Sequence, residues 1–298
     1  MTATATVHDR PSATGKVVLS ARGVTMRFGG LTAVNNVDMT VHEGEIVGLI
    51  GPNGAGKTTF FNCLTGLYKP TETEVTFEGT VLPPKPTAVV KAGMARTFQN
   101  IRLFGNMTAL ENVMVGRYCR TSSMAITSIV RGPKYRREEA DSRARGQQLL
   151  EFVGLGSMTE HLARNLPYGD QRKLEIARAL ATDPKLVLLD EPTAGMNPQE
   201  TMATRDLIFK IRDQGLAVVV IEHDMRFIFS LCDRVLCLVR GETLIEGLPA
   251  EVQSDHRVIE AYIGTPDEDE EEAVAEAHAH DSDADKAPAH VDTKEEQA

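Results

Sequence analysis

The chain has 298 residues, of which 42% are hydrophobic and 25% are charged, a composition typical of a globular protein with a sizeable core. Its net charge of −10 is unevenly distributed, because residues 265–298 contain 13 acidic and two lysine side chains while the rest of the chain is nearly neutral. A nearly neutral body lacks the basic face that binding to nucleic acid requires, so we expect no nucleic-acid partner.

Cysteine spacing and hydropathy indicate the compartment. The four cysteines form no C-x-x-C pair, which argues against a disulfide framework and against a zinc site and fits a reducing cytosol. There is no run of about 18 apolar residues, and the polar N-terminus lacks the apolar core of a secretory signal. We therefore expect a cytoplasmic protein, for which any role at a membrane is peripheral.

Three zones follow one another along the chain. Residues 1–16, rich in Thr and Ala, are expected to be a flexible leader, and residues 17–264 alternate apolar strands with helical patterns. Residues 265–298 show no apolar periodicity and are too acidic to bury a core, so we expect a disordered acidic tail. Within the body, the pattern of residues 97–182 is mainly helical and would form a helical subdomain.

Strand–helix–strand alternation predicts an α/β fold with a mostly parallel central sheet, covered by helices and flanked by an antiparallel β unit. Continuous runs of Val, Ile and Leu are typical of buried parallel strands. The predicted strands are 17–28 and 34–41 in the antiparallel flank and 45–50, 185–189, 216–221 and 235–239 in the central sheet. The predicted helices are 57–67, 171–182 and 198–214.

A phosphate-binding loop follows the third predicted strand and opens the first predicted helix. Its sequence matches G-x-x-x-x-G-K-[ST] in full, in the strand-to-helix context that the motif requires. Glycines let backbone N–H groups converge on an anion, and the helix N-terminus adds partial positive charge. Lys57 would reach the β- and γ-phosphates of ATP, and the Thr58 hydroxyl would bind Mg²⁺. The candidate nucleotide-binding residues of the loop are Gly51, Pro52, Asn53, Gly54, Ala55, Gly56, Lys57, Thr58 and Thr59.

Two acidic residues, Asp190 and Glu191, follow the apolar strand 185–189. Ligands of open α/β sheets bind at the carboxyl ends of the strands. Asp190 is placed to hold Mg²⁺, and Glu191 is then the candidate general base that polarises the water attacking the γ-phosphate. The alternative, a strand that ends in two solvated acids, is disfavoured by the phosphate-binding loop elsewhere in the chain.

With these two motifs in place, residues 17–264 resemble the ATPase subunits of ABC transporters, a family of P-loop NTPases. The string A-R-T-F-Q-N resembles the Q-loop, in which Gln99 would contact Mg²⁺ and sense the permease. The string V-I-E-H-D resembles the switch strand, in which His223 would contact the γ-phosphate. The resemblance also assigns Phe28 as the aromatic side chain that stacks on adenine and places Val34 among the nucleotide-binding residues.

Two further strings resemble the parts of the family that face a second subunit. L-P-Y-G-D-Q is similar to the signature motif, which in the family serves the nucleotide held by the other subunit, and A-G-M-N is similar to the D-loop. One chain then offers two half-sites, so the resemblance implies an ATPase dimer. The signature residues are Leu166, Pro167, Tyr168, Gly169, Asp170 and Gln171, and the D-loop residues are Ala194, Gly195, Met196 and Asn197.

This sequence departs from the broad family pattern at three positions. Pro167 stands where the signature usually has Ser, Asp170 replaces a Gln, and Asn197 replaces the Asp of the D-loop. The signature hydroxyl that would meet the γ-phosphate of the partner's nucleotide is therefore absent. These departures concern the face for the partner's nucleotide and leave the chain's own phosphate loop and catalytic residues as the family has them.

Local strings narrow the resemblance to the ATPases of branched-chain amino-acid importers. R-T-F-Q, M-T-A-L-E-N-V and the ending V-I-E-A-Y-I-G are similar to that group, and the extra stretch 117–137 is similar to the longer of its two ATPase subunits. The resemblance implies a heterodimer of ATPases, two permease subunits and an external solute-binding protein, with this chain peripheral at the cytoplasmic face of the membrane. ATPases of urea or amide importers and of lipid exporters are alternatives. A non-transport regulatory ABC protein is another, although it would be expected to have lost Glu191 or His223.

Overall fold

The computed structural model describes residues 15–120 and 133–263, which form two sheets and the helices around them. The strands are β1 Val17–Phe28, β2 Leu31–His42, β3 Ile46–Ile50, β4 Val75–Phe77, β5 Thr80–Val81, β6 Met94–Arg96, β7 Leu186–Asp190, β8 Ala217–Ile221, β9 Arg234–Val239 and β10 Glu242–Gly247. The central sheet has the strand order β10–β9–β3–β8–β7–β6 and is parallel except for the edge strand β10, and the flanking antiparallel sheet has the order β2–β1–β4–β5.

Several helices begin at side chains that cap their free N–H groups. The helices are α1 Lys57–Leu64, α2 Pro86–Ala92, α3 Ala109–Arg117, α4 Pro133–Phe152, α5 Tyr168–Leu180, α6 Pro198–Asp213, α7 Met225–Leu231, α8 Pro249–Ser254 and α9 His256–Ile263. Thr108 at the start of α3 and Asn197 at the start of α6 form capping boxes with Glu111 and Glu200. Asp224 caps α7 by accepting from two N–H groups of its first turn.

The core lies on both faces of the central sheet, because successive side chains of a strand point to opposite faces. Val47 and Leu49 of β3 are fully buried in the cluster that includes Phe60 of α1 and the inner face of the antiparallel sheet. Ile46 and Ile50 of the same strand belong to the cluster formed with α3 to α7 on the opposite face. The end of β3 is thereby fixed from both sides at the point where the phosphate-binding loop begins.

Among the described residues between 97 and 182, the helices α3, α4 and α5 pack against one another through Leu110, Leu150 and Leu174, all of which are buried. Their separation as a subdomain with those boundaries stays a prediction. Residues 1–14 of the predicted leader and the predicted tail 265–298 lie outside the described residues.

The predicted fold class is confirmed, since the structure is α/β with a mostly parallel sheet and an antiparallel flank. The sequence pattern missed β4, β5 and β6, which have two or three residues each and are too short for a recognisable alternation. It also missed the six-residue edge strand β10, in which the apolar residues Leu244 and Ile245 are adjacent and do not alternate with polar ones. It also extended the first helix to residue 67, whereas α1 ends at Leu64. Gly66 adopts the left-handed conformation, with φ +69°, and terminates the helix there.

Candidate active site

The phosphate-binding loop joins the carboxyl end of β3 to the N-terminus of α1. Gly51 and Gly56 have φ of +149° and +93°, a backbone region that side chains disfavour. The space around them is also closed, since a Cβ on Gly51 would lie 2.2 Å from the carbonyl oxygen of Leu238 and one on Gly56 would lie 2.4 Å from that of Ala33. The path of the loop therefore requires both glycines.

Lys57, the first residue of α1, folds back over the loop. Its Nζ donates to the carbonyl oxygens of Gly51 at 2.5 Å and Pro52 at 2.9 Å, and the residue is only 7% exposed. Burial lowers the pKa of the Lys57 ammonium, and the negative charge of Glu191 opposes that shift. A buried cation that rests on neutral carbonyls is poised to exchange them for an anion such as a phosphate oxygen.

Glu191 lies one residue beyond β7 and brings the predicted catalytic residues together. Its Oε1 is 2.8 Å from Nε2 of His223, and its Oε2 accepts a hydrogen bond of 2.9 Å from Nε2 of Gln99. The backbone of Glu191 is left-handed, with φ +47°, and its N–H donates to the carbonyl oxygen of Ile221. Such strained non-glycine residues cluster at functional sites, where the surrounding structure holds them in place.

Asp190 forms a buried ion pair that the sequence did not reveal. Its Oδ2 accepts from Arg96 at 2.7 Å, and the two side chains are 8% and 9% exposed. Arg96 also donates to Oδ1 of Asn62 at 2.6 Å, and its guanidinium lies 5.3 Å from the ring centroids of both Phe61 and Phe98. Arg96 lies within the Q-loop string, but nothing in the sequence pointed to its pairing with Asp190.

The residues predicted to bind Mg²⁺ carry a donor set that suits this ion. Thr58 offers a hydroxyl, Gln99 an amide oxygen and Asp190 a carboxylate, and Mg²⁺ prefers such hard oxygen ligands together with the phosphates of its substrate. Gln99 uses its nitrogen for Glu191 and keeps its amide oxygen for a cation, while Asp190 uses Oδ2 for Arg96 and keeps Oδ1. The residues present therefore fit Mg²⁺.

An open cleft of about 590 Å³ lies beside the loop. It is lined by Leu31, Thr32, Ala33, Asn53, Gly54, Ala55, Gly56, Lys57, Thr58, Thr59, Gln99, Glu191, Ile221, His223 and Arg240. Sequence reasoning missed the contribution of β2 and Arg240, because these residues belong to no phosphate-binding motif. The cleft thus joins the predicted loop and the predicted catalytic residues in one space.

Two predicted nucleotide-binding residues, Phe28 and Val34, are not among the residues that line this cleft. Phe28 is 43% exposed, and its ring packs edge-on against Tyr68 with 5.4 Å between the centroids. Val34 is fully buried, and its Cγ2 lies 3.4 Å from where a Cβ on Gly56 would be. Val34 therefore packs against the loop at Gly56. Nucleotide binding by Val34 and the stacking of Phe28 on adenine both stay predictions.

The signature residues form the start of α5. Pro167 precedes the first residue of the helix in an extended conformation, as an N-cap position requires. Nε2 of Gln171 donates to the carbonyl oxygen of Leu166 at 2.8 Å, and Asp170 pairs with Lys173 at 2.9 Å. Asp170 in the first turn of the helix also complements the positive end of the helix dipole.

The signature and the D-loop lie side by side. Tyr168 is 46% exposed, and a Cβ on Gly195 of the D-loop would lie 3.4 Å from its ring. Gly169 faces the first turn of α6, where a Cβ would lie 2.8 Å from Oε1 of Glu200. Two motifs that are 23 residues or more apart in the sequence therefore share one surface.

The D-loop is tied to the catalytic residues by Glu222, which precedes His223. Oε1 of Glu222 accepts from the N–H and the hydroxyl of Thr193, at 2.7 and 2.5 Å. Burial raises the pKa of Glu222, and the hydrogen bonds from Thr193 oppose that shift. Ala194 donates its N–H to the carbonyl oxygen of Glu191 at 3.3 Å, and Met196 donates to that of Thr193 at 3.0 Å.

A buried arginine of α5 links the signature helix to the Q-loop. Arg172 donates to the carbonyl oxygens of Phe98, at 2.7 Å, and of Gln99, and to the hydroxyl of Tyr168 at 3.1 Å. It also pairs with the buried carboxylate of Glu175 at 3.4 Å. The backbone of Gln99, whose side chain contacts Glu191, is therefore held by a residue of the signature helix.

Comparison with known proteins decides the family. The ABC transporter family model matches residues 34–194, which is more than half of the chain. The chain belongs to the ABC transporter ATPase family. A second model, described as that of the branched-chain amino acid ATP-binding cassette transporter, matches residues 243–268 of this ABC ATPase.

Individual relatives agree with this assignment. The high-affinity branched-chain amino acid transport ATP-binding protein LivG of Salmonella typhimurium is 43% identical over 249 residues, which cover 83% of this chain and 98% of LivG. The corresponding protein BraF of Pseudomonas aeruginosa is 42% identical with the same coverage. The crystal structure of the ADP conformation of MJ1267, an ATP-binding cassette of an ABC transporter, has a TM-score of 0.73 and 30% identity, covering 84% of this chain and 99% of MJ1267.

As a member of this family, the chain binds adenine nucleotides and hydrolyses ATP as part of an ABC transporter. Such a transporter also contains a permease, to which the ATPase is coupled. In the described residues, no helix combines the length and the apolar character that crossing a membrane requires.

Proposed function

We propose that this ABC ATPase powers the import of branched-chain amino acids through a membrane permease. The relatives at 42–43% identity carry that function in their names, and the match covers 98% of the length of each relative. The match of residues 243–268 to the branched-chain amino acid model supports the same cargo, because those residues lie outside the general ABC match. The ATPase would sit peripherally at the cytoplasmic face of the membrane.

The hydrolytic mechanism that we propose rests on the contact of Glu191 with both His223 and Gln99 beside the phosphate loop. Glu191 acts as the general base that takes a proton from the attacking water. His223, held on Glu191, orients that carboxylate and would contact the γ-phosphate, and Lys57 would exchange its loop carbonyls for phosphate oxygens. Bound Mg²⁺, held by Thr58, Gln99 and Asp190, would supply charge neutralisation for the β- and γ-phosphates.

The signature and D-loop surface supports action in an ATPase dimer. Tyr168 is 46% exposed on the shared surface with Gly195, and the lining of the chain's own cleft comes from other segments. This surface would face the nucleotide of a second ATPase subunit, in a heterodimer that works with permease subunits and an external binding protein.

An uptake experiment tests the cargo. Cells lacking the gene are given labelled leucine, isoleucine, valine and urea in parallel, and are then complemented with the wild-type gene or with Glu191→Gln. Loss of branched-chain amino-acid uptake, restored by wild type and not by Glu191→Gln, is the expected result. Loss of urea uptake alone would favour an amide importer, and unchanged uptake of all four would reject amino-acid import and favour export.

A hydrolysis assay tests the mechanism independently of the cargo. Glu191→Gln should retain ATP binding and lose roughly 10²–10⁴-fold in ATPase rate, because the amide cannot accept the proton. Glu160→Gln is a matched control, since the Glu160 side chain is 74% exposed on the surface. Near-normal turnover of Glu191→Gln would refute its assignment as the base.

A further inference from the structure

The phosphate-binding loop is in contact with the last described helix of the chain. The backbone N–H of Gly51 donates a hydrogen bond of 2.6 Å to the hydroxyl of Tyr262, which lies on α9 and is 211 residues away in sequence. Gly51 is the first residue after β3, whose pairing with β9 extends to Ile50 and Cys237. At this point the chain leaves the sheet ladder, so a side chain supplies the acceptor for the next N–H.

Gly51 is also held through its other atoms. Its carbonyl oxygen accepts from Nζ of Lys57 at 2.5 Å, and its Cα lies against the carbonyl of Leu238, where a Cβ would come within 2.2 Å. The part of the loop that lines the cleft begins at Asn53. Gly51 therefore precedes the part of the loop that lines the cleft, and Tyr262 contacts it from outside that lining.

Tyr262 has a rigid support. Val252 of α8 and Val258 of α9 are buried in the core cluster on the helical face of the sheet, and the Tyr262 ring packs partly buried against the same cluster. The position of its hydroxyl is thus set by packing, as a group that orients a neighbour requires. Tyr262 also lies within residues 243–268, beyond the part of the chain that the general ABC model matches.

We propose that Tyr262 is a positioning residue of the nucleotide site. Its hydroxyl fixes Gly51, the first residue of the phosphate loop, and thereby the position of Lys57. The inference rests on the proposed role of this loop in binding phosphates. It makes the C-terminal helix α9 part of the ATP-binding apparatus, and it predicts that loss of one oxygen atom on that helix weakens the binding of ATP and ADP.

Tyr262→Phe in the full-length chain is the test, because phenylalanine keeps the packed ring and removes the hydroxyl. Dissociation constants for ATP and ADP, measured by titration, should rise five- to tenfold, corresponding to about 1–1.4 kcal/mol. The KM for ATP should rise by the same factor, while kcat at saturating ATP stays within about twofold, since the variant alters binding more than the transition state. Tyr118→Phe is the matched control, because Tyr118 is 69% exposed and distant from the loop in sequence.

A spectroscopic measurement distinguishes the positioning role of Tyr262 from a general loss of rigidity in the variant. In protein labelled with ¹⁵N-glycine, the amide proton of Gly51 should shift upfield in Tyr262→Phe without nucleotide, as it loses its acceptor. Wild-type nucleotide affinity in Tyr262→Phe, an unmoved Gly51 signal, or an equal loss of affinity for adenosine, which has no phosphate, would each overturn the proposal. If Lys57→Ala abolishes nucleotide binding while Tyr262→Phe has no effect, the assignment of the phosphate loop is retained and the positioning role of Tyr262 is refuted.

Discussion

Replacing Arg172 with methionine is expected to destabilise the fold and to slow ATP hydrolysis together. The Arg172 and Glu175 side chains are 4% and 1% exposed, so the variant leaves a buried carboxylate with one cation fewer. Breaking a buried ion pair costs about 3–5 kcal/mol. We expect the lower end, about 3 kcal/mol, because Arg178 still faces the same carboxylate at 3.6 Å. Denaturant unfolding of both proteins measures this difference.

The pH dependence of this loss follows from Glu175. Burial raises the pKa of Glu175, while Arg178 and Arg172 lower it, so removing Arg172 raises that pKa further. A carboxyl with a raised pKa in the folded state contributes stability that is present at low pH and is lost as the pH rises through that pKa. The deficit of Arg172→Met should therefore be smaller at about pH 5 than at about pH 8.

The effect of Arg172→Met on catalysis has a different cause from its effect on stability, and it has its own control. Arg172 holds the carbonyls of Phe98 and Gln99, so its loss frees the residue that contacts Glu191, and we expect kcat to fall roughly 10- to 100-fold. In a double-mutant cycle with Glu175→Gln, the double variant should recover about 2 kcal/mol of stability without recovering kcat. A stability loss below about 1 kcal/mol in Arg172→Met would refute the buried-pair argument, and an unchanged kcat would refute the link to the Q-loop.

Three further predictions concern single positions. Lys57→Ala should weaken ATP binding at least tenfold in a nucleotide titration, since it removes the buried cation of the loop; unchanged affinity would count against the loop assignment. Asn197→Ala should lower the free energy of unfolding by about 1 kcal/mol through loss of the α6 cap, whereas Asn197→Asp, which keeps the acceptor, should unfold like wild type. A thiol reagent at pH 8 should label Cys119 first, because burial raises the pKa of Cys63 and Cys237 to about 11; faster labelling of either would contradict this.

The sequence predicted those parts of the site whose functional residues are neighbours in the chain. The phosphate loop needs glycines at Gly51 and Gly56 for backbone reasons, and the same residues form the motif, so local pattern and local structure coincide. Asp190 and Glu191 were found for a similar reason, because a fully buried parallel strand has a continuous apolar pattern and its end is visible. The roles of these residues in catalysis stay predictions for the experiments above.

What the sequence could not predict depends on contacts between distant residues. β6 has three residues and exists because Met94 pairs with Leu186, a partner more than 90 residues away. Arg96 and Arg172 look like ordinary surface arginines in the sequence, because nothing in the local pattern reveals their partners. Arg96 is buried against Asp190, which is 94 residues away, and Arg172 against the carbonyl of Phe98, which is 74 residues away. Tyr262 likewise looked like part of a C-terminal string, with no signal that its hydroxyl reaches the loop.

The departures from the family pattern have local explanations in this structure. Pro167 suits the extended position before α5, Asp170 pairs with Lys173, and Asn197 caps α6, so each replacement serves the helix on which it lies. On the same surface, the hydroxyl of Tyr168 accepts a hydrogen bond from Arg172. Since Arg172 also holds the Q-loop backbone, a displacement of the signature surface would be transmitted through one buried guanidinium to Gln99 and its contact with Glu191. The signature helix and the Q-loop backbone are joined by this arginine, which is why its replacement should alter catalysis although Arg172 does not line the cleft.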